Sequence, residues 1–179
     1  MSMESVAVSN IMVRDVKTAK ENQSINAIAK VMSDNNIGSV VIVKSDDDLE
    51  ELGGIITERD IVRITAAAQT SSQTSSSTFQ LLARDIMSKP IITIDATSSI
   101  QDAIQSMKLN NIRRLPVVDR ERKMVGIIAD KDIFRAIINS QSMVASISEN
   151  VTIEYRPIYE RLSEFMMGEM LLPRGSNPN

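Results

Sequence analysis

The chain has 179 residues, 42% of them hydrophobic, enough for one good core or two small fused ones, and its formal charge of −3 offers no basic field for nucleic acid. It contains no cysteine and no histidine, which excludes thiol nucleophiles, disulfides, thiolate zinc sites, iron–sulfur clusters and imidazole chemistry. No secretory leader and no membrane-spanning apolar run is visible, so a soluble, cytoplasmic protein suited to binding and regulation rather than catalysis is expected.

In chain order, Asn10-Ile11-Met12 comes first, then a short extended piece from Val16 to Thr18. Ser24 stands just before Ile25, Ile28, Ala29 and Met32, whose spacing makes one apolar stripe on a helix that Ser24 can cap. Asn35-Asn36-Ile37 follows, and then Ser39 to Val43, a continuous β-branched run that reads as a buried strand. The next turn carries Asp46-Asp47-Asp48 with Glu50-Glu51. With no glycine-punctuated ligand loop around it, this reads as a solvated hairpin tip rather than a cation site. A second strand through Gly54-Ile55-Ile56 leads into a helix from Glu58 to Ala68, and residues 69–82 form a Ser/Thr/Gln-rich linker.

The pattern then recurs. Asp85-Ile86-Met87 and an extended Ile91 to Ile94 precede Ser99 and the stripe Ile100, Ala103, Ile104, Met107. Asn110-Asn111-Ile112, a strand from Leu115 to Val118, a strand through Gly126-Ile127-Ile128 and a helix from Asp130 to Ile138 complete the copy. The offset is 75 residues from Met12/Met87 to Val43/Val118 and 72 at Gly54/Gly126, so the first copy has three extra residues in its turn. Each copy is β-α-β-β-α, and the chain reads as an α+β fold of two packed units at residues 7–68 and 83–140. In residues 141–179, Pro157 opens a predicted helix with Ile158, Leu162, Phe165, Met166 and Met170 on one face. This C-terminal helical extension either packs on its own module or offers a Met-rich surface to a partner. Leu172-Pro173-Arg174-Gly175-Ser176 resembles a protease-cleavage scar and is set aside.

These motifs resemble the cystathionine-β-synthase (CBS) domain family in its tandem-pair form. The resemblance rests on Asp85-Ile86-Met87, on Ile112-Arg113-Arg114-Leu115-Pro116-Val117-Val118-Asp119, and on Gly-Ile-Ile-x-x-x-Asp closing both copies. It spans about Val8 to Ile138, with Asn10-Ile11-Met12 and Gly38-Ser39 as looser matches in the first copy. It implies a non-catalytic regulatory module whose repeats pack sheet against sheet about a pseudo-two-fold axis. Two clefts then arise, which in family members hold AMP, ADP, ATP, S-adenosylmethionine or NAD, with no metal required. It also implies a homodimer of such pairs. The competing reading is a ligand-independent interaction module that meets an unidentified protein through the Met-rich helix.

By this resemblance Asp60 and Asp132 contact the ribose, where a carboxylate can accept two charge-assisted bonds from a vicinal diol. Thr57 is the accompanying hydroxyl in copy one, and Ala129 stands at that position in copy two. Locally, Thr57 to Asp60 also fits a capping box, but Ala129 cannot cap, so Asp132 has no such reason to be there. Arg113 and Arg114 occupy positions that face phosphate, while Arg59 and Lys131 either reach it or are solvated. One cleft would combine Thr57 and Asp60 with Ile92, Thr93 and Pro116. The other would combine Asp132, Arg113 and Arg114 with Val16, Thr18 and Ser39. Unequal affinities are expected, with anionic ligands favouring the arginine-bearing cleft.

Overall fold

The computed structural model describes residues 6–44, 51–70 and 81–139. The acidic turn at 45–50, most of the predicted linker, the helix predicted from Pro157 and the tail at Leu172 lie outside the described residues. The first repeat runs β1 (Thr18–Lys20), α1 (Ile25–Asp34), β2 (Ser39–Val43), β3 (Leu52–Thr57) and α2 (Glu58–Thr70). A one-turn helix, α3 (Ala83–Ile86), leads to β4 (Ile94–Asp95), α4 (Ile100–Leu109), β5 (Arg114–Val118), β6 (Met124–Ala129) and α5 (Asp130–Ile138). This is the α+β, twice β-α-β-β-α order expected from the repeat.

Local chemistry sets the ends of α1 and α4. The Ser24 hydroxyl accepts from the Ala27 amide at 3.3 Å and the Ser99 hydroxyl from the Asp102 amide at 3.0 Å, as the caps predicted. Asp102 returns the bond by accepting from the Ser99 amide at 2.9 Å, which completes a reciprocal capping box. The twin Asn-Asn-Ile motifs are helix stops. Asn35 and Asn110 donate their side-chain amides to the carbonyls of Val31 and Ser106, both at 2.8 Å. Asn36 and Asn111 then take positive φ, 50° and 51°, which Asn tolerates better than most residues. The amides of Ile37 and Ile112 close back onto the carbonyls of Met32 and Met107 at 2.9 Å, a Schellman ending that aims the chain into β2 and β5.

Each repeat holds a three-stranded sheet with its middle strand parallel to one neighbour and antiparallel to the other, in the orders β1-β2-β3 and β4-β5-β6. The first strand of each repeat falls later than the extended pieces predicted at Val16 to Thr18 and Ile91 to Ile94. The ladder partner decides its position, not the local apolar residues: Thr18 pairs with Val41, and Ile94 with Val117. Proline explains why β4 is shorter than β1. The Val41 amide donates to the Lys17 carbonyl at 3.2 Å, but Pro116, its counterpart in β5, has no N–H to offer Ile92.

The leaders are exchanged between repeats. Val6, Val8 and Met12 lie in the core of repeat 2 with Ile100, Leu115 and Ile128, whereas Ala83 and Met87 lie in that of repeat 1 with Ile28, Val40 and Ile56. Isolated antiparallel bridges fix both crossings: Ala7 to Ser99, Val13 to Ile127, Ser24 to Leu82, and Ile55 to Ser88. Glycine admits the methionines. A β-carbon on Gly126 would lie 2.6 Å from the Met12 sulfur, and one on Gly54 would lie 2.8 Å from the Met87 sulfur. Each repeat therefore holds the other's leader, and neither core is complete alone.

Candidate functional site

In each repeat the middle strand, the hairpin's return strand and the following helix meet at one corner. Ser39 heads β2 opposite Thr57, the last residue of β3, and the Glu58 amide donates to the Gly38 carbonyl at 3.2 Å. In repeat 2, Arg114 heads β5 opposite Ala129, and the Asp130 amide donates to the Arg113 carbonyl at 3.0 Å. These bonds start α2 and α5 at equivalent points and place an acid in the first turn of each.

Among the described residues, Asp60 and Asp132 alone are both charged and buried, 6% and 8% exposed. A buried carboxylate is costly unless hydrogen bonds satisfy it. Asp60 Oδ2 accepts from the Thr57 amide at 2.9 Å and from its hydroxyl at 2.6 Å, while Arg63 donates to Oδ1 at 3.1 Å. Asp132 Oδ2 accepts from the Ala129 amide at 3.0 Å. The expectation that Asp132 has no local capping role is thereby corrected. The acid needs no hydroxyl partner, because it caps the Ala129 amide directly. What separates the two acids is the second oxygen. Among the described residues Asp132 Oδ1 accepts no hydrogen bond, and it is not completely buried.

The candidate residues fall into three groups. Ser39, Thr57 and Asp60 share the repeat 1 corner; Arg113, Arg114 and Asp132 share that of repeat 2. Val16, Ile92 and Thr93 are half-buried residues just before β1 and β4, and Thr18 is the first residue of β1. Pro116 is buried in β5 opposite Ile127. No hydrogen bond among the described residues joins this third group to either acid. Arg59, Lys131 and Arg113 are exposed and Arg114 is half-buried. None of the four forms an ion pair among the described residues.

Arg114 links the two corners. Its backbone belongs to repeat 2, but its guanidinium Nη2 lies in contact range of the Cβ position of Gly38 in repeat 1, and Glu58 Oε2 lies 2.8 Å from that same position. Sequence reasoning passed over Gly38 and Glu58 as site residues. The visible signal was that Gly38 is the counterpart of Arg113, so one copy has a side chain where the other has space.

Two duplicated α+β units that exchange leaders, with a buried acid at matching corners and cations that form no ion pair among the described residues, define a paired regulatory module rather than two independent domains. Residues 8–67 and 83–139 match the CBS domain, and the chain belongs to that family. It is 38% identical over 149 residues to the uncharacterized protein MK0525 of Methanopyrus kandleri, covering 83% of this chain and 70% of that one. A homoserine O-acetyltransferase of Methanosalsum zhilinae is 36% identical over 137 residues, 76% of this chain, but the chain spans only 25% of its length. The CBS domain pair of protein MJ0100, solved with 5′-methylthioadenosine and S-adenosyl-L-methionine, is 30% identical with a TM-score of 0.63, covering 75% of this chain and 97% of that one. Hypoxic Response Protein I, solved with two coordinated zinc ions, is 31% identical with a TM-score of 0.57, covering 73% and 98%.

Proposed function

We propose that this protein is a non-catalytic sensor of adenosine-containing ligands, with its tighter site at Asp132. The observation that carries the reading is a carboxylate already buried and held by a backbone bond, whose Oδ1 accepts no hydrogen bond among the described residues. Such an oxygen can accept from a ribose hydroxyl without losing its structural bond. At Asp60 the same ligand must displace Arg63 or share Thr57's acceptor. The Asp60 cleft offers something else, the Ile92 carbonyl that Pro116 leaves without a ladder donor, as an acceptor for the adenine amine. Charge-assisted bonds are about twice as strong as neutral ones, so Asp132 dominates.

Arg113, Arg114, Arg59 and Lys131, which form no ion pair among the described residues, suit a 5′-phosphate, as in AMP, ADP or ATP. The ligands of MJ0100 make methylthioadenosine and S-adenosylmethionine equal members of the test panel, with NAD. The zinc of Hypoxic Response Protein I is not carried over. This chain has no His or Cys, and no group of three or more potential ligands occurs among the described residues. A cytoplasmic homodimer, with residues 7–68 and 83–140 as working repeats and 141–179 as an extension, completes the proposal.

Thermal shift with the panel, followed by calorimetric titration of the best ligand, tests it. Ligand at a hundredfold above its dissociation constant adds about 2.7 kcal/mol, worth roughly 5–10 °C for a chain of this size. Asp132→Asn should remove the tighter site and Asp60→Asn the weaker. No shift from any member of the panel would refute the sensor reading in favour of the interaction module.

A further inference from the structure

We propose that Glu58 is an internal counter-ion to Arg114 that sets how strongly this module discriminates ligands by charge. The inference rests on the sensor reading only for the identity of the ligand, because the approach of the two charges to Gly38 is seen in the structure itself. Arg114 leaves its own repeat to place its guanidinium over Gly38, and the Glu58 carboxylate approaches the same point from the first residue of α2. A side chain at position 38 would fill the space, since its β-carbon would lie 2.8 Å from Glu58 Oε2 and in contact with the guanidinium. Opposite charges therefore share a slot that a side chain at residue 38 would narrow.

The two groups do not close into an ion pair. Each keeps donors or acceptors for a third party, and their charges partly cancel where a phosphate would dock. A phosphate approaching Arg114 gains the guanidinium but meets the carboxylate beside it. An uncharged adenosine, or a cationic sulfonium ligand, meets no such repulsion. Glu58 thus weakens binding of anions specifically, because Arg114 is the group that brings them beside it.

Inorganic pyrophosphate separates this effect from recognition of the nucleoside. Its affinity is measured by thermal shift at matched ionic strength on the wild-type chain, Glu58→Gln, Arg114→Gln and the double variant. Two unit charges 4 Å apart in water interact by about 1 kcal/mol, so Glu58→Gln should tighten pyrophosphate about fivefold, less in high salt. Arg114→Gln should weaken pyrophosphate, and in its background Glu58→Gln should give no gain. Adenosine affinity should be the same in the wild type and in Glu58→Gln. Failure of pyrophosphate to bind the wild type or Glu58→Gln, or an equal gain without Arg114, would overturn the counter-ion role. Absence of adenosine binding with the pyrophosphate pattern intact would instead count against the sensor reading.

Discussion

Gly126→Ala tests the exchange of leaders on which the two cores depend. The new β-carbon would lie 2.6 Å from the Met12 sulfur, 2.9 Å from the Val13 carbonyl oxygen and 3.0 Å from Met12 Cγ. The thioether can swing away, but the carbonyl cannot. Val13 and Ile127 exchange both of their backbone bonds, each at 2.9 Å, so relief requires the leader to lift off β6. Two lost backbone bonds cost about 1 kcal/mol each. Withdrawing the buried Met12 side chain costs about 1.5–3 kcal/mol more. Against this, alanine where φ is not positive gains about 0.4–1 kcal/mol by restricting the unfolded chain. The net loss is about 3–4 kcal/mol, roughly 10 °C in Tm. Urea unfolding of the wild type, Gly126→Ala, Met12→Ala and the double variant measures it. Removing the thioether relieves part of the clash, so the double variant should be more stable than the sum of the singles by about 1 kcal/mol. A Gly126→Ala protein within 0.5 kcal/mol of wild type, or strict additivity, would refute the proposed docking of the leader.

The capping box of α4 carries a pH signature. The Ser99 hydroxyl and then its amide, both donating to Asp102, hold that carboxyl below the usual aspartate range. Its contribution is complete above the ordinary value of 3.8 and is lost as pH falls through the lowered folded value. Acid titration of stability should therefore fall less steeply in Asp102→Asn than in wild type. Ser99→Ala should cost about 1 kcal/mol at neutral pH by urea unfolding. At the other end of α4, Asn111→Ala should cost about 1 kcal/mol because φ there is 51°, whereas Asn111→Gly should be close to neutral in the same assay.

Both repeats, the helices that open them and the buried strands were legible because their signals are local. Ser99 and Asp102 stand one helical turn apart, and the stripe Ile25, Ile28, Met32 lies within the ten consecutive residues of α1. The buried acids were legible as residues, through the duplicated Gly-Ile-Ile-x-x-x-Asp, but not their inequality. That inequality comes from Arg63, which engages Asp60 from the next turn of α2, and from the absence of any such donor at Asp132 among the described residues. The meeting of Glu58 and Arg114 at Gly38 went unread because a missing side chain has meaning only beside the group that fills its place.

The amino-acid order alone determined two α+β units, their helix ends and the candidate acids, since each depends on bonds between residues a few positions apart. The folded chain alone decided that the leaders cross, that β1 and β4 start where their parallel partners allow, and that Arg114 serves the opposite repeat. Those outcomes depend on pairings such as Val13 with Ile127 and on space left by glycine. Contacts between segments so far apart in the chain leave no periodic trace in either one, because each is specified only by the surface of the other.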